Sequence, residues 1–501
     1  MPTFIDPLKR ALQVGADRTA ILFENETTSY RDLWNRCGKL AGMVSAKGAV
    51  PGDRIAILAE NSPQYLEMYV GLPAAGFVIV PLNTRHAEPE LRYALEDAEA
   101  KLLVTDRDPG ALGDLVDTVI SLPDEYESLL GGAIEMELGV GVTEDTLAGL
   151  FYTGGTTGAS KGVMLSHRNL ISNTIHNMSI ALLSQEDVWL ILAPMFHAAG
   201  TNGVLGGIWN ASCQIPLKTF NPATALDLIE EHGVTHTLGV PAMIAAITEL
   251  QLAQPRNVST LRLLLHGGSP IATEVVRRAY SAFPDTEFAH VYGATETAPL
   301  VSGFRNEQLY LDEPRGRSCG QALVGVQLKI VDGKGDELPA GEVGEVAARG
   351  PNIMQGYWRK PEQTAEVLRD GWYHTGDLGR IDTDGYLYLV DRAKDMIVTG
   401  GENVYCSEVE EALYKHPAVL EAAVIGVPDG KWGEAVHAVV VQREPVSAED
   451  LIEFCRSHIA GYKLPKAISF SETELPKSGP GKILKRELRK PFWEGKQHGI
   501  N

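Results

Sequence analysis

An α/β fold in two parts is predicted, and three observations predict it. Short apolar runs alternate with helix-length segments through about the first 300 residues. Near residue 320 the texture changes to short strands punctuated by Asp-Gly and Pro-Ala-Gly turns. A compact unit of about 110 residues then follows a charged segment, Arg392-Ala393-Lys394-Asp395. Strands alternating with helices argue a largely parallel sheet covered on its faces. Closely spaced turns argue an antiparallel, β-rich piece, and a unit of that length is an ordinary domain. The expected organisation is an N-terminal domain over 1–391, its β-rich subdomain at about 320–391, a junction at 392–395, and an α+β C-terminal domain over 396–501.

Taken in order, residues 1–20 read as a helix and turn, and 20–23 as a strand. Ser29 is the N-cap of a helix running through Leu40 and Met43 towards Gly48, because a serine hydroxyl accepts from a free N–H of the first turn. A strand at 54–58, a helix through Tyr65 and Tyr69, a strand at 78–80, a helix at 88–98 and strands at 102–105 and 118–121 continue the alternation. Residues 106–145 read as irregular surface. Further on come a strand at 189–193 and a helix at 222–232, capped by Asn221 with Pro222 in its first position, where a missing N–H costs nothing. Strands follow at 234–240, 261–266 and 287–291, then the shorter ones at 326–331, 344–349 and 386–390. The last unit reads helix 407–415, strands 420–427 and 435–442, helix 447–459 and strand 467–471.

Composition narrows the function. The charge is −21, from 65 acidic and 44 basic residues, which argues against a nucleic-acid binder. It leaves room only for a local, peripheral membrane contact. No uncharged apolar run reaches the roughly 18 residues a spanning helix needs, and charges through the first thirty residues leave no secretory h-region. The five cysteines are scattered without a C-x-x-C pair, so a disulfide framework or structural zinc is not expected and a cytoplasmic protein is. Oligomeric state is not encoded in these features.

Six segments carry chemistry. The first is Tyr152-Thr153-Gly154-Gly155-Thr156-Thr157-Gly158-Ala159-Ser160-Lys161-Gly162, after an apolar run and before a helix opening near His167. Glycines admit close backbone approach; N–H groups, hydroxyls and a lysine suit phosphate oxygens. It is not a Walker A loop, since Lys161 precedes its glycine and Val163 follows. The others, in order, are Pro194-Met195-Phe196-His197-Ala198-Ala199-Gly200, His266-Gly267-Gly268-Ser269-Pro270, Tyr292-Gly293-Ala294-Thr295-Glu296-Thr297, Tyr373-His374-Thr375-Gly376-Asp377 with Arg392, and Pro476-Lys477-Ser478-Gly479-Pro480-Gly481-Lys482. His232 and His236 have helical spacing but lack the glutamate of a metalloprotease helix and read as structural. No G-x-S-x-G elbow is present.

In this order the segments resemble those of the AMP-forming adenylating enzymes: acyl-CoA and aryl-CoA synthetases, beetle luciferases and nonribosomal-peptide adenylation domains. The resemblance spans nearly the whole chain and is nearest to fatty-acid–CoA ligases. It implies a mobile C-terminal domain pivoting at Lys394. It also implies ATP and Mg²⁺ as cofactors and coenzyme A as co-substrate. Thr153, Gly154, Gly155, Thr156, Thr157, Gly158 and Lys161 resemble the phosphate grip, and Thr153 is a second metal-side oxygen. Gly154 stands where many members carry a hydroxyl. His197 resembles the residue beside the acyl carboxylate. Gly267, Gly268 and Ser269 lie against adenine and the acyl group, with Tyr292 stacking on adenine beside Gly293 and Ala294. Thr295 resembles the α-phosphate contact, Glu296 the magnesium ligand, and Asp377 and Arg392 the ribose contacts. Lys482 resembles the mobile lysine of adenylation; Lys477 and Lys485 compete with it by charge alone. Gly400 and Gly401 resemble the loop that meets the pantetheine arm.

The implied activity is a carboxylic acid–CoA ligase working through an acyl-adenylate. Small residues at Ala198, Ala199, Gly268 and Ala294, and no arginine for a second carboxylate, favour medium- to long-chain fatty acids, with aryl or alicyclic acids next. An acyl-AMP ligase serving a carrier protein is the other reading; the large insertion typical of that group is not seen between Tyr292 and Asp377.

Overall fold

A computed structural model describes residues 2–153, 160–392, 395–399, 402–478 and 483–494. Two large sheets build its first part. The seven-stranded sheet runs Gly356–Tyr357, Lys161–Ser166, Leu147–Thr153, Val78–Pro81, Arg54–Leu58, Ala100–Thr105, Thr118–Ser121. Its last five strands are parallel and its first two antiparallel. Runs such as Val78–Pro81 are buried throughout, as strands covered on both faces must be. The nine-stranded sheet runs Gln321–Ala322, Leu300–Arg305, Glu287–Gly293, Leu263–Gly267, His236–Gly239, Val188–Ile191, Cys213–Pro216, Thr19–Phe23, Glu26–Ser29. The six strands from Glu287–Gly293 to Thr19–Phe23 are parallel.

The helix His167–Ala181 packs against strands of both sheets. Ser166 caps it in a reciprocal box with Asn169. Asn173 inside it accepts from the Leu300 N–H at 3.0 Å. One apolar cluster runs from Ile57 and Phe77 through Leu170 and Trp189 to Val291 and Val346. The ends of strands in the two sheets are therefore set relative to one another by a shared interior.

A five-stranded antiparallel sheet follows, holding Gln327–Val331, Gly344–Arg349, Trp372–Ile381, Leu368–Arg369 and Leu387–Arg392. The last unit has its own five-stranded sheet of Glu402–Val404, Ile397–Thr399, Gly433–Gln442, Val419–Asp429 and Ala467–Ser471. Helices Cys406–Tyr414 and Ala448–Arg456 cover it around a separate core of Val409, Leu413, Val424 and Leu451. Polar contacts join this unit to the rest. Cys406 N–H donates to Asp391 at 2.6 Å, Thr273 N–H to Glu411 at 3.3 Å, and Arg443 meets Glu249 at 3.3 Å.

Several elements differ from the sequence reading. The stretch read as irregular holds a 3₁₀ turn, Gly110–Leu115, and a helix, Asp124–Gly132. The helix opens at His167 as read, but a strand the reading did not include, Lys161–Ser166, precedes it and pairs back on Leu147–Thr153. The β-rich stretch is not one sheet, because Gly356–Tyr357 leaves it to pair with Lys161–Ser166. Among the described residues no helix is long and apolar enough to cross a membrane.

Candidate active site

The 154–160 loop closes a β-hairpin whose last pair is Thr153 opposite Lys161. The two side chains that flank the loop are thus set by sheet register rather than by the loop. Residues 154–159, which include Gly154, Gly155, Thr156, Thr157 and Gly158, lie outside the described residues. The Lys161 ammonium stands 4.6 Å from the centre of the Tyr357 ring, a cation–π distance. The Tyr357 hydroxyl donates to Glu296 Oε1 at 2.8 Å.

Glu296 sits in a 3₁₀ turn, Thr295–Thr297, just beyond the strand Glu287–Gly293. A clasp from residues 351–358 holds that turn. Buried Asn352 donates through Nδ2 to the Thr297 and Leu300 carbonyls, both at 2.8 Å, and Met354 N–H donates to the Glu296 carbonyl at 2.9 Å. The same clasp reaches the hairpin: Gln355 N–H donates to Met164 O at 3.0 Å and Trp358 N–H to Gly162 O at 2.8 Å. Asn169 Nδ2 secures it further at the Pro351 and Ile353 carbonyls.

On the opposite side, Tyr292 donates its hydroxyl to Asp377 Oδ2 at 2.8 Å. Asp377 faces Arg392 across adjacent antiparallel strands. Gly376 precedes it at φ +71°, a conformation glycine adopts without strain. Glu345 braces this turn, accepting from Gly376 N–H at 3.0 Å and pairing with His374 at 2.9 Å. Burial first, then the Asp377 carboxylate, raises the Tyr292 phenol well above its usual range. Burial followed by Glu296 raises Tyr357 and Tyr373 likewise. All three stay protonated donors at neutral pH.

Gly267 ends the strand beside Glu287–Gly293, in register with Val291. A side chain there would meet the Val291 carbonyl at 2.3 Å, so the two strand ends lie too close for anything but glycine. Gly268 follows at φ +84° and Ser269 is half-buried. Gly293 and Ala294 lead into the Glu296 turn, where the Ala294 N–H donates to Thr297 Oγ1 at 2.9 Å. His197 lies in the turn after Val188–Ile191, half-buried, and its Nδ1 accepts from Ala199 N–H at 3.2 Å.

Lys161 and Glu296 are thus joined through Tyr357, with Thr153 opposite Lys161 and Thr295 next to Glu296 in the chain, while Tyr292 is joined to Asp377, which is in register with Arg392. Lys394, Gly400, Gly401 and Lys482 lie outside the described residues, as does the side chain of Arg392. Lys477 and Lys485 are committed elsewhere, to Glu421 at 2.5 Å and Glu410 at 2.7 Å. His236 is buried, with Nε2 3.0 Å from the Ala181 carbonyl, in keeping with a structural role. Asn352, Tyr357 and Glu345 are additions to the sequence reading. A Gly-Tyr-Trp triplet at 356–358 was a signal of close approach by backbone and aromatics together.

The donor set suits Mg²⁺ carried in with a polyphosphate. That small, hard ion takes one or two carboxylates and fills its shell with phosphate and water oxygens. Glu296 offers Oε2 while Oε1 is hydrogen-bonded. Among the described residues no group of three His, Cys, Asp or Glu could make a dedicated protein cage.

The comparisons with known proteins agree with this geometry. The AMP-binding enzyme model matches residues 8–358, and the AMP-binding enzyme C-terminal domain model matches residues 408–482. A feruloyl-CoA synthase of an Amycolatopsis species is 38% identical over 97% of this chain and 98% of its own. The fatty acid–[acyl-carrier-protein] ligase ScoC of Streptomyces coeruleorubidus is 35% identical over 96% of this chain and 95% of its own. ATP-bound MatB from Rhodopseudomonas palustris superimposes with a TM-score of 0.90 at 32% identity, over 99% of each chain. Matched almost end to end, the chain belongs to the AMP-binding enzyme family and is an acid–thiol ligase of it.

Proposed function

We propose that the protein joins a carboxylic acid to coenzyme A in two steps, using ATP and Mg²⁺. In the first, a carboxylate oxygen attacks the α-phosphorus of ATP; the α–β bridge breaks, giving acyl-adenylate and pyrophosphate. Thr153, Thr156, Thr157 and Lys161 hold the departing pyrophosphate, and Glu296 supplies the carboxylate for the metal. Tyr292 lies against adenine, and Asp377 and Arg392 hold the ribose. Lys482 bridges the carboxylate and α-phosphate, where charge develops. In the second step the domain beyond 392–395 turns about Lys394, withdrawing Lys482 and bringing Gly400 and Gly401 to the site. The CoA thiol, losing its proton, attacks the acyl carbon and AMP leaves.

What carries this reading is the meeting of Lys161, Tyr357 and Glu296, with Tyr292 held on Asp377 close by through their common neighbour Tyr373. The ion pairs of Lys477 and Lys485 favour Lys482 as the travelling lysine. A cytoplasmic location fits the scattered free cysteines.

Of the acid classes suggested by the motifs, aryl acids are favoured over fatty acids. The 38% identical relative is named a feruloyl-CoA synthase. A small cavity beside Ala198 has a mixed lining of Leu170, Leu205 and Ala298 with Asn173, Thr201 and Asn202, and buried Asn202 Nδ2 has no hydrogen-bond partner. An unpartnered amide on that cavity floor suits the polar far end of a short acid better than an alkyl tail.

The test is pyrophosphate release over a panel of hydroxycinnamic and fatty acids, each with and without CoA. Ferulate is expected to exceed dodecanoate, with CoA-thioester formed. Pyrophosphate without thioester would point to a carrier-protein acceptor, and no release with any acid would refute the ligase reading. Asn202→Leu is expected to lower ferulate activity relative to dodecanoate about tenfold; an unchanged ratio would remove the polar-floor argument.

A further inference from the structure

We propose that Tyr357 is a positioning residue for adenylate formation: its ring seats the Lys161 ammonium and its hydroxyl holds the Glu296 carboxylate, so one side chain sets the pyrophosphate-side cation apart from the metal-side anion. The proposal rests on the roles given above to Lys161 and Glu296.

The ring has little freedom. Tyr357 is 5% exposed and pairs with Val163 in the strand that carries Lys161. Its N–H donates to Thr364 Oγ1 at 2.9 Å. Gly356 before it stands at φ +144°, and a side chain there would meet Thr364 at 2.8 Å. A backbone so placed fixes the direction in which the ring leaves the strand.

The chemistry explains why a tyrosine is useful here. An ammonium and a carboxylate facing one cleft attract each other, and a direct ion pair would occupy both groups before ATP arrives. Among the described residues no ion pair joins Lys161 to Glu296; the tyrosine stands between them. A ring face attracts the cation without neutralising it. A hydroxyl bond to Oε1 orients the carboxylate and leaves Oε2 for the metal. Tyr357 touches no reacting atom in this scheme; it acts through its two neighbours.

The experiment is calorimetric ATP binding without acid, titrated with Mg²⁺ and repeated under chelator, on wild type, Tyr357→Phe, Glu296→Gln and the double variant. Tyr357→Phe keeps the ring and loses only the hydroxyl. It is expected to raise the half-saturating Mg²⁺ concentration about tenfold to a hundredfold, the worth of one hydrogen bond to a charged group, with ATP affinity under chelator unchanged. In the Glu296→Gln background the same change is expected to add less than twofold, because the carboxylate charge that the bond orients towards the metal is already gone. An equal factor in both backgrounds, or no factor in wild type, would overturn the proposal while leaving Glu296 as the metal ligand. Should Glu296→Gln itself leave the Mg²⁺ requirement untouched, the assignment of Glu296 falls and the proposal with it. The second arm uses inorganic pyrophosphate as the probe. Tyr357→Phe is expected to bind it within twofold of wild type and Tyr357→Leu at least fivefold more weakly; equal binding by the two would overturn the seat proposed for Lys161.

Discussion

The stem of the 154–160 loop and the stem of the 479–482 loop are held in opposite ways. The first is an antiparallel pairing that runs from Thr153 opposite Lys161 back to Leu147 opposite Ser166, inside a seven-stranded sheet, with Gly356–Tyr357 on its other edge. The second is a single bridge of Lys477 with Ile483, flanked by ion pairs. Lys477 meets Glu421, Lys485 meets Glu410, and Arg489 meets Asp395 at 3.2 Å. Backbone pairing in a shared core fixes geometry and is insensitive to salt. Charge pairs fix a loop to its own unit, and that unit meets the rest through the polar contacts near Asp391, Glu249 and Thr273. In the proposed mechanism, the grip on pyrophosphate would benefit from the first arrangement. A lysine at 482 that served one half-reaction and left before the next would benefit from the second, because the anchors on either side of it belong to its own unit.

The comparison can be broken most severely at Lys482. Lys482→Ala is expected to slow acid-dependent pyrophosphate release by about 10² to 10³, the scale of one charge-stabilising donor. Thioester formation from supplied acyl-adenylate should stay within a few-fold. Equal losses in both assays would contradict a lysine used in one step only.

Glu410→Gln comes next. Burial pushes the Glu410 carboxyl up against the pull of Lys485, and removing one partner of such a pair costs about 3 kcal/mol or more. Hydrogen exchange should show the Val419–Asp429 and Gly433–Gln442 strands losing protection, while Leu147–Thr153 keeps its own. Loss spread evenly over both regions would mean that the two stems are not independent.

Asn352→Ala acts on the other side. It leaves the Thr297 and Leu300 carbonyls without their donor, at about 1–3 kcal/mol. Denaturant unfolding should register it in the N-terminal region, and pyrophosphate release should fall more than thioester formation from supplied adenylate.

The smallest effect per group is acid sensitivity. Burial holds His167, His236 and His290 each down to about 4. A base whose folded pKa lies below its unfolded value stabilises fully above the unfolded value and loses that contribution as pH falls towards the folded one. The window here is from about 6.5 down to about 4. Between pH 7 and 6 each histidine should cost about 0.7 kcal/mol. These three, and His176 shifted the same way, lie before residue 392 against His437 alone beyond it among the described residues, so melting followed across this range should show the N-terminal region weakening first. A C-terminal unit that weakens earlier would reverse the comparison.

Much of the architecture was legible in the chain. The helix bounds 88–98 and 222–232 agree with Glu88–Ala98 and Pro222–His232, and Asn221 caps as expected at 2.9 and 3.1 Å. Local signals sufficed there, since caps and proline positions act within one turn. Residues 161–166 and 356–357 were not legible as strands. Residues 356–357 form a two-residue edge pair whose partner lies far along the chain, which no local pattern names, and 161–166 pairs with its neighbour 147–153 across a glycine-rich segment that lacks a standard hairpin-turn signal. Asn352 and Tyr357 were missed for the same reason: their partners lie 55 and 61 residues away.

By itself, the sequence determined the alternation of strand and helix, the order of the six motifs and hence the family, because these depend on residue type and local spacing. Tertiary structure alone decided that Thr153 and Lys161, on either side of the glycine-rich segment, pair across two antiparallel strands. It decided too that Lys161 and Glu296 meet through Tyr357, and that Tyr292 spends its hydroxyl on Asp377. Those facts rest on which strand ends a common core brings side by side, a property of packing across two sheets that no stretch of residues carries alone.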